Sequence, residues 1–526
     1  MKKIFKALFL PISRLVAIYL IEIAITVNLI LYLNGRFYGK LYWFDALLNV
    51  LRLITILCFL FVLFNYRIEQ AYRANWILIM ILSPSFGGII YLFFAKEKPI
   101  PAKFQKTHRL RKKYESLLNQ SENEESKMIR ATMASDGLPY SKIANYISNE
   151  LSFNVFSETN AKFFYSKEEG WEDIIDSLKR ATKSIHLEFF IISDGELLEE
   201  IISVLKERKA NGAAIRILYD DFGSFGKIKR KTVRDLTNAG ICVRRFNKVS
   251  LHVNQELNYR NHRKQIIIDG KIAYFGGVNL ADEYRNVSNK KLGSWFDSIF
   301  RFSGRAVTDA ERLFRQDWNF SNGRNNTQKT NAADEESDEL PLSEPANYGI
   351  YQIYASSPFD NESVSKNVFL SLLMQSAKSF YFTTPYMVLD DDIMEKMIFC
   401  AKSGLDIKAI VPGVPDKKVT YSITKSHFSK LISNGIEVYR FKEGFIHSKL
   451  VLSDDRCASV GSVNIDYRSF FLNFENGILL YDTPEIKDIS DAFDKIIERS
   501  EKIVCKKDNL LTKAFNTSLK FLSPIF

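Results

Sequence analysis

The strongest constraint on this 526-residue chain is a stretch that it carries twice. Asn261-His262-Arg263-Lys264 runs on into Gln265-Ile266-Ile267-Ile268-Asp269 and is followed by Gly276-Gly277-Val278-Asn279. Ile446-His447-Ser448-Lys449 runs on into Leu450-Val451-Leu452-Ser453-Asp454 and is followed by Gly461-Ser462-Val463-Asn464. Each copy spells His-x-Lys, four residues and Asp, then a small pair and an Asn. The chain has six histidines, and two of them fill the same slot. One copy would read as a core strand that happens to hold a histidine. Two copies in matching surroundings call for two like halves with a shared chemistry.

The surroundings do match. Ser184–Ile191 reads as a buried strand, Glu196–Ala210 as an amphipathic helix, Ala214–Tyr219 as a strand ending in Asp220-Asp221, Val233–Ala239 as a helix and Ile241–Phe246 as a strand. The order returns later. Residues 377–382 repeat 181–185, Gly404–Ile410 repeats Gly212–Leu218, and Asn434–Phe441 repeats Asn238–Phe246. Alternating strands and helices over so long a period predict an α/β fold built from a duplicated lobe, with helices on both faces of each sheet. The expected layout is a transmembrane region at 1–97, a basic and polar linker at 98–150, lobe 1 at 151–321, a flexible linker at 322–347, and lobe 2 from 348 to 526. The acidic, asparagine-rich run inside 322–347 has almost nothing apolar to bury.

Apolar runs after each lysine mark central strands, so alternation predicts that His262 and Lys264 share a face, as do His447 and Lys449. Two such halves facing each other supply two imidazoles, two ammonium groups and the neutral donors Asn279, Asn464 and Ser462. That set suits a phosphodiester. One neutral histidine attacks phosphorus, the other, protonated, donates to the leaving oxygen, and the lysines and amides stabilise the oxygens. No metal or cofactor is needed. Each imidazole requires an acceptor to fix its tautomer. Asp297, downstream of the first motif, and Glu475, downstream of the second, are the candidates. Asp269 and Asp454 complete the motif and are counted with the catalytic set. Their place at the far ends of the strands favours a turn-closing job instead.

Three apolar stretches open the chain, at about 15–33, 46–64 and 76–94. Each approaches the ~20 residues that cross a bilayer. The third is free of charge, with Pro84 and Gly87-Gly88 in its middle. The lysines and arginines from Lys96 to Lys113 follow it and keep that flank cytoplasmic. Lys2, Lys3, Lys6 and Arg14 favour the same side, and two spans plus one interfacial segment would satisfy both ends. The expectation is a multi-pass protein of the cell membrane with its duplicated domain in the cytoplasm. A net charge of +11 suits an anionic leaflet. The cysteines, 58, 242, 400, 457 and 505, have no paired spacing, which argues against a zinc site or a disulfide framework.

The duplicated motif resembles the hallmark of the phospholipase D superfamily. Within it, the first motif with Gly276–Asn279 and the second with Gly461–Phe470 and Leu472–Glu475 are similar to those of the bacterial cardiolipin synthases. The stretch from Trp76 to Tyr91 looks like that family's membrane segment, and Leu519–Phe526 looks like its terminus. The resemblance implies two phospholipase D-like lobes forming one site at their interface. It implies transfer of a phosphatidyl group between two phosphatidylglycerol molecules, with His262 the nucleophile and His447 the acid and base. The extra N-terminal apolar segment, the long insert between the lobes and Phe296, where such enzymes commonly carry a basic residue, depart from the family pattern. The motifs alone leave open a phospholipase D-type hydrolase, another phosphatidyltransferase with phosphatidylethanolamine as acceptor, a membrane-tethered nuclease and a silent scaffold. The strongest basic cluster flanks the apolar stretches rather than the duplicated domain, which speaks against nucleic acid. Oligomeric state is not legible.

Overall fold

The computed structural model describes residues 42–64, 73, 76–77, 79–81, 83–94, 124–249, 258–285, 292–321, 349–360 and 362–504. The first apolar stretch, the basic run after residue 95, the linker at 322–347 and the C-terminal tail lie outside the described residues. The chain divides into an N-terminal unit and a large unit holding both lobes.

In the N-terminal unit, α1 (Tyr42–Phe64) is the one helix among the described residues that is long and apolar enough to cross a membrane. Leu53, Leu57 and Phe61 point outward from it, as a lipid-facing surface requires. The third apolar stretch is not one continuous helix. A turn at Pro84–Phe86 interrupts it, and the chain resumes as the eight-residue α2 (Gly87–Phe94). Proline has no N–H for the helical ladder and its ring crowds the preceding turn. The two arms fold back on each other, so that Trp76 meets Tyr91 edge to face at 5.4 Å. Gly88 lets α2 lie against α1: its N–H donates to Thr55 Oγ1 at 3.0 Å, and a Cβ there would sit 2.5 Å from Thr55 Cα. The described residues therefore do not support the multi-pass expectation.

The large unit opens with α3 (Glu124–Ser135), α4 (Ser141–Leu151), β1 (Val155–Phe156) and β2 (Thr159–Phe164). Lobe 1 continues with α5 (Lys167–Lys179), β3 (Ser184–Phe189), α6 (Glu196–Ala210), β4 (Ala214–Asp220), α7 (Arg230–Asn238) and β5 (Cys242–Phe246). It ends with β6 (Arg260–Asn261), β7 (Gln265–Ile268), β8 (Ile272–Gly276), β9 (Ser294–Phe296), β10 (Ile299–Gly304) and α8 (Val307–Phe320). Its sheet runs β2-β10-β8-β7-β3-β4-β5, with β3, β4 and β5 parallel and joined through helices. The isoleucines of β7 alternate: Ile266 and Ile268 enter a core under α5 and α6, while Ile267 enters the core on the other face.

Lobe 2 holds β11 (Ile350–Ser356), α9 (Val364–Gln375), β12 (Ser379–Thr383), α10 (Asp391–Lys402), β13 (Asp406–Pro412), α11 (Lys418–Ile432) and β14 (Glu437–Phe441). It closes with β15 (Gly444–Ile446), β16 (Leu450–Ser453), β17 (Cys457–Gly461), α12 (Tyr467–Phe471), β18 (Asn473–Tyr481), α13 (Glu485–Glu498) and β19 (Ser500–Lys502). The sheet order β1-β11-β18-β17-β16-β12-β13-β14-β19 repeats that of lobe 1, extended by β1 and β19 at its edges. The large unit is thus a duplicated α/β fold. One apolar core runs between the lobes, joining Phe275, Phe300 and Phe302 of lobe 1 to Ile353, Val460 and Ile478 of lobe 2.

The expectation that 98–150 is a linker fails over its second half. Met133, Ile143, Ala144 and Ile147 of α3 and α4 are buried in the shared core. Gln352 of β11 donates to Ala144 O and Phe153 O, and β1 pairs with β11. The segment before lobe 1 is therefore an integral layer on lobe 2. Most of its charged residues face outward, with Arg130 the buried exception, and they flank an apolar stripe at helical spacing.

Candidate active site

The two His-x-Lys stretches come together where the lobes meet. Neither lies in regular strand. Residues 262–264 link β6 to β7, and 447–449 link β15 to β16. The reason is that each segment pairs with one lobe and then the other. β6 lies parallel to the start of β18, and His262 N donates to Phe474 O at 2.9 Å before the chain enters β7 of its own sheet. In lobe 2, β15 lies parallel to β9, and His447 N donates to Phe296 O at 2.7 Å before the chain enters β16.

This exchange places each imidazole on the opposite lobe's carboxylate. His262 Nδ1 is 3.0 Å from both oxygens of Glu475, and His447 Nδ1 is 2.6 Å from Asp297 Oδ2. Both carboxylates are fully buried. Burial raises their pKa values, but Glu475 is held below its ordinary range by His262, Lys264 and Ser462, and Asp297 by Lys449, His447 and the Ser298 N–H. Each ring therefore carries its proton on Nδ1 and leaves the Nε2 lone pair for chemistry. Asp297 and Glu475, expected to orient the rings, each lie against an imidazole Nδ1. Sequence reading could not tell that each serves the other lobe.

Both rings are neutral at rest. Burial pushes His262 down to about 4, with Lys264 opposing its charge and Glu475 partly compensating. Burial and then Lys449 push His447 down to about 3. Lys264 and Lys449 each donate to the carbonyl of the histidine two residues earlier. Burial lowers Lys264 well below its ordinary value and Lys449 to about 8. Phe190 packs edge-on against His262 at 5.1 Å, while Tyr284 and Trp295 flank His447 at 5.3 and 5.6 Å.

The remaining candidates divide. Ser462 Oγ donates to Glu475 Oε2 at 2.5 Å, so it holds the orienting carboxylate. Asn279 spends its amide on protein: Oδ1 accepts from Ile191 N and Nδ2 donates to Tyr284 Oη. That leaves it at most one N–H for a phosphate. Asn464 differs, because its buried Oδ1 has no hydrogen-bond partner among the described residues.

Asp269 and Asp454 spend their carboxylates on backbone N–H groups. Asp269 accepts from the backbone N–H groups of Thr182, Lys183 and Ser184, and Asp454 from those of Ala377, Lys378 and Ser379. Both sit in tight hairpin turns at φ of 54° and 56°, a region that Asp tolerates better than most residues. Each pins the β7–β8 or β16–β17 hairpin to the start of the neighbouring parallel strand.

Sequence reading missed Arg263 and Lys167. Arg263 Nε donates to Glu475 O, its Nη1 pairs with Asp317 and its Nη2 donates to Ser356 O, so it ties the His262 segment to lobe 2. Buried Lys167 bonds Trp295 O, two residues before Asp297. Arg263 sat inside the motif as its variable position, and nothing local signalled Lys167. Phe296, the departure from the family pattern, is buried against Tyr165 at 5.0 Å and offers its carbonyl to His447.

Comparison with known proteins follows the same division. The profile described as "Cardiolipin synthase, PLD-like domain" matches residues 174–318 and 369–497, one segment in each lobe. The chain is 31% identical over 478 residues to the cardiolipin synthase of Halalkalibacterium halodurans, covering 90% of this chain and 92% of that one. It is 30% identical over 455 residues to cardiolipin synthase 2 of Bacillus anthracis, covering 86% of each. The crystal structure of phosphatidylserine synthase from Haemophilus influenzae superposes with a TM-score of 0.50 at 14% identity, covering 71% of this chain and 97% of that one, a likeness of fold. The chain belongs to the cardiolipin synthase family of phospholipase D-like proteins.

Proposed function

We propose that the protein transfers a phosphatidyl group from one phosphatidylglycerol to the glycerol hydroxyl of a second, giving cardiolipin and free glycerol. The observation that carries this reading is the exchanged pairing of His262 with Glu475 and His447 with Asp297. It supplies two rings with free Nε2 atoms in one buried site.

His262 Nε2 attacks phosphorus, and the bond from phosphorus to the headgroup glycerol oxygen breaks. His447 gives that oxygen a proton, and glycerol leaves. The entering phosphodiester anion supports protonation of His447, whose resting charge burial and Lys449 oppose. The second phosphatidylglycerol then yields its hydroxyl proton to His447, and its oxygen displaces His262 from phosphorus. Lys264, Lys449 and the Asn464 amide stabilise the non-bridging oxygens. One phosphodiester replaces another, so loss of glycerol drives the reaction. The helix α1 anchors the chain in the cell membrane, and the basic residues after the third apolar stretch favour a cytoplasmic site.

The test is to incubate the purified full chain with phosphatidylglycerol labelled in the headgroup and in the acyl chains. Cardiolipin and glycerol in equal amounts are expected. Phosphatidic acid with no cardiolipin would make it a hydrolase.

A further inference from the structure

Lobe 1 carries a surface feature next to the nucleophile that the reaction itself does not use. After β4 the chain turns through Phe222-Gly223-Ser224-Phe225-Gly226 before α7. Phe222 is 53% exposed and Phe225 is 40% exposed. Outside the N-terminal unit, no other exposed large apolar side chains among the described residues stand within three positions of each other. The loop is firmly built. Asp220 Oδ1 accepts from Phe222 N and Gly223 N, and Ser224 Oγ donates to Phe190 O. Gly223 lies so close to Phe190 that a Cβ would sit 2.3 Å from its carbonyl oxygen. The phenylalanines are therefore held out by the fold, at the cost of two large apolar groups in water.

The loop adjoins the site. Phe190, on which it rests, packs against His262. The Arg260 guanidinium lies 5.4 Å from the Phe222 ring, two residues before His262. The charge around the phenylalanines is one-sided. From Lys227 to Asn238 five basic residues stand against one acidic residue, Asp235. Lys227, Lys229, Arg230 and Lys231 are all exposed. The nearby carboxylates are engaged: Asp194 accepts from Thr232 and Lys229 N and lies 3.5 Å from Lys229 Nζ, and Asp221 pairs with Arg245 at 3.2 Å. The matching loop of lobe 2, after β13, lacks aromatic residues and presents Asp416 bonded to Tyr386.

We propose that this rim is a membrane-docking surface: Phe222 and Phe225 enter the interfacial layer of a bilayer, and Lys227, Lys229, Arg230 and Lys231 meet anionic lipid phosphates. Apolar side chains ringed by basic ones are the composition that an anionic interface selects. Docked this way, the mouth beside His262 takes a phospholipid headgroup from the leaflet without lifting its acyl chains into water. The inference rests on the phosphatidyl-transfer reading and adds the surface through which the lipid reaches that site.

The test uses the full chain reconstituted in phosphatidylcholine vesicles. Headgroup glycerol release is measured from long-chain phosphatidylglycerol in the bilayer and, separately, from short-chain phosphatidylglycerol dissolved in the buffer. In the double variant Phe222→Ser, Phe225→Ser, the bilayer mole fraction giving half-maximal rate rises about tenfold, while the rate on the dissolved substrate is unchanged. Phe222→Leu with Phe225→Leu restores the bilayer rate. Equal losses on both substrates would assign the loop to the site itself and overturn the proposal, as would no loss on either. Glycerol release counts hydrolysis as well as transfer. A wild-type chain that releases glycerol without forming cardiolipin therefore refutes the transferase reading and leaves the docking comparison intact.

Discussion

On the lobe 1 side of the site a bare glycine, Gly277, faces Asp297; on the lobe 2 side Ser462 occupies the equivalent place and faces Glu475. A Cβ on Gly277 would lie 2.1 Å from Asp297 Oδ1, whereas Ser462 donates to Glu475 Oε2 at 2.5 Å. The supports behind the motifs differ in the same spirit. In lobe 1 Arg263 bonds Asp317 and two lobe 2 carbonyls, and Glu188 of β3 accepts from Asn261 and Gln265. In lobe 2 Ser448 stands where Arg263 does, and Thr383, at the place of Glu188, bonds Ser448. The catalytic geometry is duplicated and its scaffolding is not. Each carboxylate is paired with a neighbour sized to it, so the halves are not interchangeable although their motifs match.

The largest effects should come from breaking the exchanged pairing. Glu475→Gln deprives His262 of its acceptor, and Asp297→Asn does the same for His447. Each is expected to lower kcat by about ten-thousandfold, the scale of losing the correct tautomer in other histidine sites. A loss confined to one variant, measured as steady-state turnover, would mean that only one ring needs its carboxylate.

Next comes the glycine and serine exchange. Gly277→Ala drives a methyl group into Asp297 and should cost about a hundredfold in kcat. Ser462→Ala removes one hydrogen bond to Glu475 and should cost about tenfold. The reverse order in paired kinetic assays would show that the two positions tolerate each other's residues.

The pH dependence is a smaller but informative effect. With His262 held at about 4, below the ordinary 6.5, its ring stays unprotonated through that window. The kcat profile, set in the complex where the substrate anion supports protonation of His447, should therefore keep its acid limb below pH 6.5, and should have fallen by about pH 8, where Lys449 loses its proton. Stability has the matching sign. Between pH 6.5 and about 4 the unfolded chain binds more protons than the folded one, so stability declines as pH falls through that range. An acid limb at 6.5 in initial rates would show that burial does not depress the ring.

The smallest catalytic effect belongs to the motif aspartates. Asp269→Ala loses three backbone hydrogen bonds and places alanine at positive φ. It should cost about 2–4 kcal/mol of stability by denaturant melting. Turnover per folded molecule should stay within about threefold, the separation expected of a turn residue. A large loss of turnover without loss of stability would return Asp269 to the chemistry.

Much of this was legible in the sequence because it is local and repeated. The isoleucine run of β7, the helix Glu196–Ala210 and the two histidine slots each announce themselves within a dozen residues. Asp297 and Glu475 stood out because both follow their motifs at similar places. The exchange between lobes was not legible, because β6 meets β18 and β9 meets β15 across more than a hundred residues of chain. The helices α3 and α4 were mistaken for linker because the acidic run before them outweighed the stripe of Ile143, Ile147 and Leu151. Pro84 was in plain view, but its effect depends on whether neighbours satisfy the freed backbone, and here the chain turns instead.

The central claim is that the two halves form one site with unlike roles. Rapid acid-free quenching of the full chain with phosphatidylglycerol labelled in phosphorus, followed by peptide mapping, tests it most directly. The account predicts a labelled phosphatidyl group on His262 of the wild-type chain, slower both to form and to leave in the His447→Ala chain, and no label on His447 when His262→Ala is used. Label on His447, or turnover in the His262→Ala chain, would contradict it.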